Sequence, residues 1–212
     1  METVREKVEK VIRTIGTKLS NEIYEQVYIA SLSQEEERPD RMFRFLAEAF
    51  RYGPGVVDMM QLPAVYEIFR IRRNVYNENH LLTQFTRFSQ TSQGVLVSRI
   101  GPKNDVLPLL APHFADRLPE ENWAIFDEKR AKAAVHPMGK EWFLTDIPLE
   151  EQGEDKGNRA GSWLREQTDE EIYKNLWYTF FDAVAIRERT NYKCQRNHLP
   201  LRFRPYMTEF NR

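Results

Sequence analysis

Cys194 and His198 stand four residues apart near the end of the chain, a spacing that could put a thiol and an imidazole on one helical face. A zinc site takes three or four such ligands. Cys194 is the sole cysteine, and His80, His113 and His136 are isolated in sequence, so no metal site is expected. A thiolate nucleophile with His198 as its base lacks a third, orienting group by pattern. The alternative is a surface cysteine beside a surface histidine. Glu78 and His80 are two apart, so on a helix they share no face and are not a catalytic pair by spacing. Either could still meet another element. His113 lies in DVLPLLAPHFADRL, where a proline kink frees backbone groups and could present its imidazole to a cleft. The plainer reading is a ring satisfied by backbone and water. With Glu188, the candidate acid–base residues are His113, Glu78, His80 and Glu188. The chain has no Walker A loop and no GxGxxG, HExxH, GxSxG or CxxxCxxC motif, and no cofactor is expected.

The same end of the chain is basic. Arg187, Arg189, Lys193, Arg196, Arg202, Arg204 and Arg212 face only Glu188 and Glu209 in sequence, while Glu150 to Glu171 is strongly acidic. A net charge of −1 hides this polarity and excludes a general basic field. Two readings compete for the basic arm. Guanidinium forks could grip a few phosphates, with Phe203 and Tyr206 as stacking faces. Alternatively, Arg189, Glu188, Arg202 and Glu209 pair with one another and pin the tail to the body.

These residues need elements to position them. Val4, Val8, Val11, Ile12 and Ile15 recur at helical spacing up to Gly16. Ser20 to Leu32 is a second helix with Ile23, Val27 and Ala30 on one face. Ser33 to Glu36 reads as a capping box, followed by a helix to Tyr52 with Met42, Phe43, Leu46 and Phe50 inward. Gly53-Pro54-Gly55 breaks it, and a short helix runs from Val56 to Gln61. Pro63 opens a long helix through Val65, Ile68, Phe69, Arg72 and Tyr76 to Phe85. Arg70, Arg72 and Arg73 form a solvated face or an anion-binding one.

The period then changes. Gly94 to Ile100 is a strand, and Trp123 to Phe126, Lys132 to His136 and Glu141 to Thr145 predict an antiparallel meander. Asp105 to Leu118 is a kinked helix with Asp105 as N-cap. Glu150 to Gly161 is a loop, and Thr168 opens an aromatic-rich helix to Thr190. The fold class is α+β: predominantly helical, with a small antiparallel sheet of three or four strands in the middle of the chain.

The chain has 212 residues, 41% hydrophobic and 30% charged, which suits one soluble domain, residues 1–212. Its apolar runs are too short to span a bilayer, and METVREKVEK lacks an apolar signal core. A cytoplasmic protein without membrane contact is expected.

Four stretches carry a resemblance: RYGPGVVDMM; RNVYNENHLLTQFTRF; NDVLPLLAPHFADRLPEENWAIFDEKRAKAAV; and LWYTFFDAVAIRERTNYKCQRNHLPLRFRPYMTEF. Together they span most of the chain after Ser20. In them the chain resembles a bacterial family of DNA-metabolism or DNA-repair proteins. Members of that family are encoded beside a radical-SAM protein and also occur fused to a uracil-DNA glycosylase-like domain. The resemblance implies weight on Glu78, His80, Phe85 and Arg87, then on Asp105, Pro108, Pro112, His113 and Phe114. Near the end it marks Glu188, Arg189, Asn191, Gln195, Pro200, Arg202 and Glu209. It also implies a further N-terminal strand and helix around a YDGSF-like sequence that does not precede Met1.

The expectation is an accessory protein of DNA repair or modification. It would bind nucleic acid, most simply DNA, through Arg189, Gln195, Arg196, Arg202 and Arg204, and would partner a radical-SAM protein. A nucleic-acid-processing enzyme and a structural subunit without DNA contact are the alternatives.

Overall fold

The computed structural model describes residues 4–91, 94–146 and 192–210. They fall in two compact units, Met1–Glu78 with Lys103–Val106, and Asn79–Pro102 with Leu107–Arg212.

The first unit is helical: α1 (Val4–Lys18), α2 (Asn21–Ser31), α3 (Arg38–Tyr52), a 3-10 turn (Pro54–Asp58) and the start of α4 (Pro63–Phe85). Gly16 does not stop α1, which runs two residues further. Ser20 caps α2 by accepting the Ile23 N–H at 3.2 Å. The expected capping box at Ser33 does not form. Ser33 Oγ accepts from Glu35 N–H, two residues on, and α3 begins only at Arg38, with Pro39 in its first turn.

Sequence periodicity placed only part of the inner face of α3: Met42 and Leu46 pack against the core as expected, but Phe43 and Phe50 do not. Phe45 and Ala49 are buried, whereas Phe43 is 71% and Phe50 53% exposed. Aromatic residues occur on both sides of this helix, so size alone could not pick the inward one. The small Ala49 lets neighbouring helices approach, and Phe45 follows it inward. Along α4 the buried line is Val65, Ile68, Ile71, Val75 and Glu78, at three- and four-residue spacing. Val65, Ile68 and Ile71, with Ile15, Ile23, Ala30, Phe45, Ala49 and Val56, form the core of this unit.

The second unit holds a five-stranded sheet in the order β1 (Ser89–Gln90), β2 (Leu96–Ile100), β3 (Trp123–Asp127), β4 (Lys132–His136) and β5 (Phe143–Asp146). The β3–β4–β5 meander is antiparallel as expected, but β2 and β3 run parallel, so the sheet is mixed and has more strands than expected. The reason lies in the connection. The kinked segment forms α5 (Leu107–Arg117), and a helix of that length is a crossover that returns the chain to start a parallel neighbour. Strand β1 is two residues long, too short to leave a periodic signal.

Leu107, Leu110, Ala111 and Phe114 form the buried stripe of α5, which packs on β3 and β4. Pro108 lies in the first turn, where its missing N–H costs nothing, and Pro112 is accommodated inside the helix. The chain closes with α6 (Tyr192–His198) and 3-10 turns at Leu201–Tyr206 and Thr208–Phe210. Among the described residues no helix is long and apolar enough to cross a membrane.

Candidate functional site

Within the second unit, Phe203 and Met207 are 1% and 3% exposed and act as apolar anchors for the closing segment, which packs against β2. Between them Tyr206 donates its hydroxyl to Glu128 at 3.0 Å, and Glu128 also pairs with Arg99 on β2. Burial first, then this hydrogen bond, pushes the Tyr206 phenol up to about 12. The Tyr206 ring lies against Gly101, where a Cβ would come within 2.8 Å of its Cζ. This close approach is why a glycine follows β2.

The anchoring changes what the aromatics can do. Phe203 and Tyr206 were expected as stacking faces for bases, but one is buried and the other is committed to Glu128. The guanidinium groups occupy aromatic faces themselves. Arg202 lies over Phe203 at 4.5 Å and Arg204 over Phe210 at 4.6 Å. Lys193, Arg196, Asn197 and His198 are exposed on α6. Among the described residues Lys193, Arg196 and Arg204 have no carboxylate partner. Glu188 and Arg189 lie outside the described residues, as do the loop from Glu150 and the helix from Thr168, and so do the side chains of Gln195 and Glu209.

Glu78 has a different character. It sits on the buried line of α4 at 3% exposure. Its Oε1 accepts the Lys103 N–H at 2.9 Å, and its Oε2 accepts the Asn104 N–H at 2.8 Å and the Asn104 amide at 2.7 Å. Asn104 Oδ1 in turn accepts the Gln34 N–H at 3.0 Å, and the Asp105 N–H donates to the Leu32 carbonyl at 2.8 Å. A buried carboxylate satisfied by amides in this way holds segment 103–106 within the first unit.

The candidate histidines each have their own surroundings in the second unit. His80 is exposed and meets Gln84, with Nε2 2.9 Å from the amide nitrogen. His113 is exposed on α5, its ring edge-on to Phe114 at 5.1 Å. Both belong to the second unit and Glu78 to the first.

Two polar residues of the second unit escaped sequence reasoning. Asp127 is fully buried at the end of β3. It accepts the Lys129 and Arg130 N–H groups at 3.0 and 3.3 Å, and pairs with the Arg130 guanidinium at 2.9 Å. His136 is 4% exposed at the end of β4. The β3–β4 register sets it directly opposite Trp123, and the two rings stack 5.1 Å apart with 5° between their planes. His136 forms part of a cleft of about 490 Å³ with Asp116, Glu120, Lys140, Glu141 and Trp142.

Among the described residues no group of three or more His, Cys, Asp or Glu side chains is placed to hold a metal ion. A family model described as a domain of unknown function, DUF4130, matches residues 36–209, and the chain belongs to that family. No curated protein and no solved structure matches the chain.

Proposed function

We propose that this protein is an accessory factor of DNA repair or modification that holds nucleic acid on its C-terminal arm and works beside a radical-SAM partner. The observation that carries the reading is the mounting of the arm. Phe203, Met207 and the Tyr206–Glu128 bond fix the backbone, so Arg202 and Arg204 are laid on aromatic rings and not left as free-swinging chains. Arg204 is thereby ordered before a phosphate arrives, so part of the entropy cost of binding is already spent. Arg196 and Lys193 add exposed charge on the preceding helix. A patch of this size holds a few phosphates and does not coat a duplex.

Fluorescence anisotropy with single-stranded, duplex and uracil-containing DNA, at low salt and with and without the radical-SAM protein, tests this. Binding that weakens on Arg196→Ala and Arg204→Ala is expected. Absence of binding under every one of those conditions would sink the proposal.

A second reading, the structural subunit, is favoured by the exposed apolar residues of the first unit, including Val8, Val11, Phe43 and Phe50. Association with the radical-SAM protein that survives high salt, without DNA binding, is the outcome that selects it.

A further inference from the structure

The cleft at His136 has chemistry opposite to that of the arm. His136 Nδ1 lies 2.9 Å from the Glu121 carbonyl oxygen. A carbonyl only accepts, so Nδ1 carries the proton, and in the neutral ring Nε2 presents a lone pair. Among the described residues nothing donates to that nitrogen. Stacking on the buried Trp123 fixes the ring plane and so the direction of the lone pair.

The surrounding groups are also acceptors. Asp116 and Glu120 come from the end of α5 and the turn after it, and Glu141 from the β4–β5 connection; against them stands Lys140. An anionic ligand would meet net negative charge there. The half-buried Trp142 supplies an aromatic face for a cation, and Pro112 and Pro119 supply apolar wall. The volume of about 490 Å³ lies within the range of small-molecule sites.

We infer that this cleft binds a primary ammonium group on a short alkyl stem, as carried by a small diamine or a lysine side chain, with His136 Nε2 accepting one of its N–H bonds. The tetrahedral ammonium has three donors for the imidazole and the flanking carboxylates. Its methylenes would lie along the prolines, and its charge would meet the Trp142 ring. The site is independent of the nucleic-acid reading, because none of its residues belongs to the arm.

The test is a titration of the whole protein at low ionic strength, followed by NMR at the His136 and Trp142 side chains. The ligands are putrescine and Nα-acetyl-lysine methylamide, with 1,4-butanediol and inorganic phosphate as controls. Saturable binding of at least one ammonium ligand, and none of butanediol, is expected. Binding of the diamine alone identifies a free amine as the source, and binding of the lysine derivative alone identifies a protein side chain. Asp116→Asn and Glu120→Gln, both at exposed positions, should each weaken binding roughly two- to five-fold, and Lys140→Gln should strengthen it by a similar factor. His136→Phe keeps a ring on Trp123 but removes the acceptor, and should weaken binding at least as much. If that variant does not fold, the three surface variants still decide. The inference is overturned if neither ammonium ligand saturates, if butanediol binds equally, if phosphate binds in their place, or if the surface variants leave affinity unmoved.

Discussion

The carboxylate of Glu78 and the side-chain amide of Asn104 meet at 2.7 Å inside the first unit, 26 residues apart in sequence. The same carboxylate takes two main-chain N–H groups, so it organises a segment that has little regular structure of its own. Glu78→Gln keeps the shape but turns an amide NH₂ towards donors and removes the charge that strengthens these bonds. A loss of about 2–3 kcal/mol in unfolding free energy is expected. Denaturant melts measure it, and hydrogen exchange at the Lys103 and Asn104 amides localises it. An unchanged midpoint would show that the carboxylate is not a structural clamp.

The turn after β3 offers a paired prediction. Asp127 is fully buried against the Arg130 guanidinium, so Asp127→Asn removes the buried charge of that pair and weakens the turn's N–H bonds, and should cost about 2–4 kcal/mol. Ala131, closing the same turn, has φ of 50°. A side chain in that left-handed region costs roughly 1–2 kcal/mol, part of which glycine returns as lost chain entropy. Ala131→Gly should therefore stabilise by about 0.5–1 kcal/mol. Thermal and urea melts that move the two variants in opposite directions confirm both readings.

Tyr206 makes a prediction at alkaline pH. Its phenol is raised from 10.0 to about 12, chiefly by burial and then by the bond to Glu128. A group raised in the folded state contributes stability that is complete below its unfolded value and is lost as pH rises through the folded value. The chain should therefore lose stability between about pH 10 and 12. Tyr206→Phe should flatten that part of the profile and delete a late step from the tyrosinate absorbance titration. A profile identical in wild type and variant contradicts the assignment.

How much of this was readable beforehand depended on the kind of signal. The helix break at Gly53-Pro54-Gly55 and the helix start at Pro63 act through local backbone sterics, and they stand where expected. The antiparallel meander is also local, since its strands follow one another through short turns. The parallel β2–β3 pairing is a non-local choice made by the packing of α5, and period-two alternation carries no strand direction. The stacking of His136 on Trp123 depends on register between two strands, and no local pattern marks either residue as special. Glu78 was singled out with an acid–base role in mind. Its place on the buried line of α4 became visible only when Ile71 and Val75, not Phe69, proved to face inward.

Gly101 connects stability to the proposed binding surface. A Cβ there would strike the hydroxyl end of the Tyr206 ring, the group that donates to Glu128. Gly101→Ala should cost about 1–3 kcal/mol and loosen the docking of the arm. DNA affinity should fall although no cation has been removed.

Salt dependence tests the proposed nucleic-acid contact and counts the phosphates it would involve. Each neutralised phosphate contributes about 0.7 to the slope of log Kobs against log salt on single strands and about 0.9 on duplex. If Arg196 and Arg204 each hold one, the slope on duplex is about −2, and each Arg→Ala variant should lower its magnitude by about 1. Arg204→Lys keeps the charge but loses the planar fork stacked on Phe210, so it should weaken binding with little change in slope. Anisotropy titrations from low to moderate salt read both quantities. A slope near zero in the wild-type protein would mean that these guanidinium groups serve to hold the arm in place and do not contact nucleic acid.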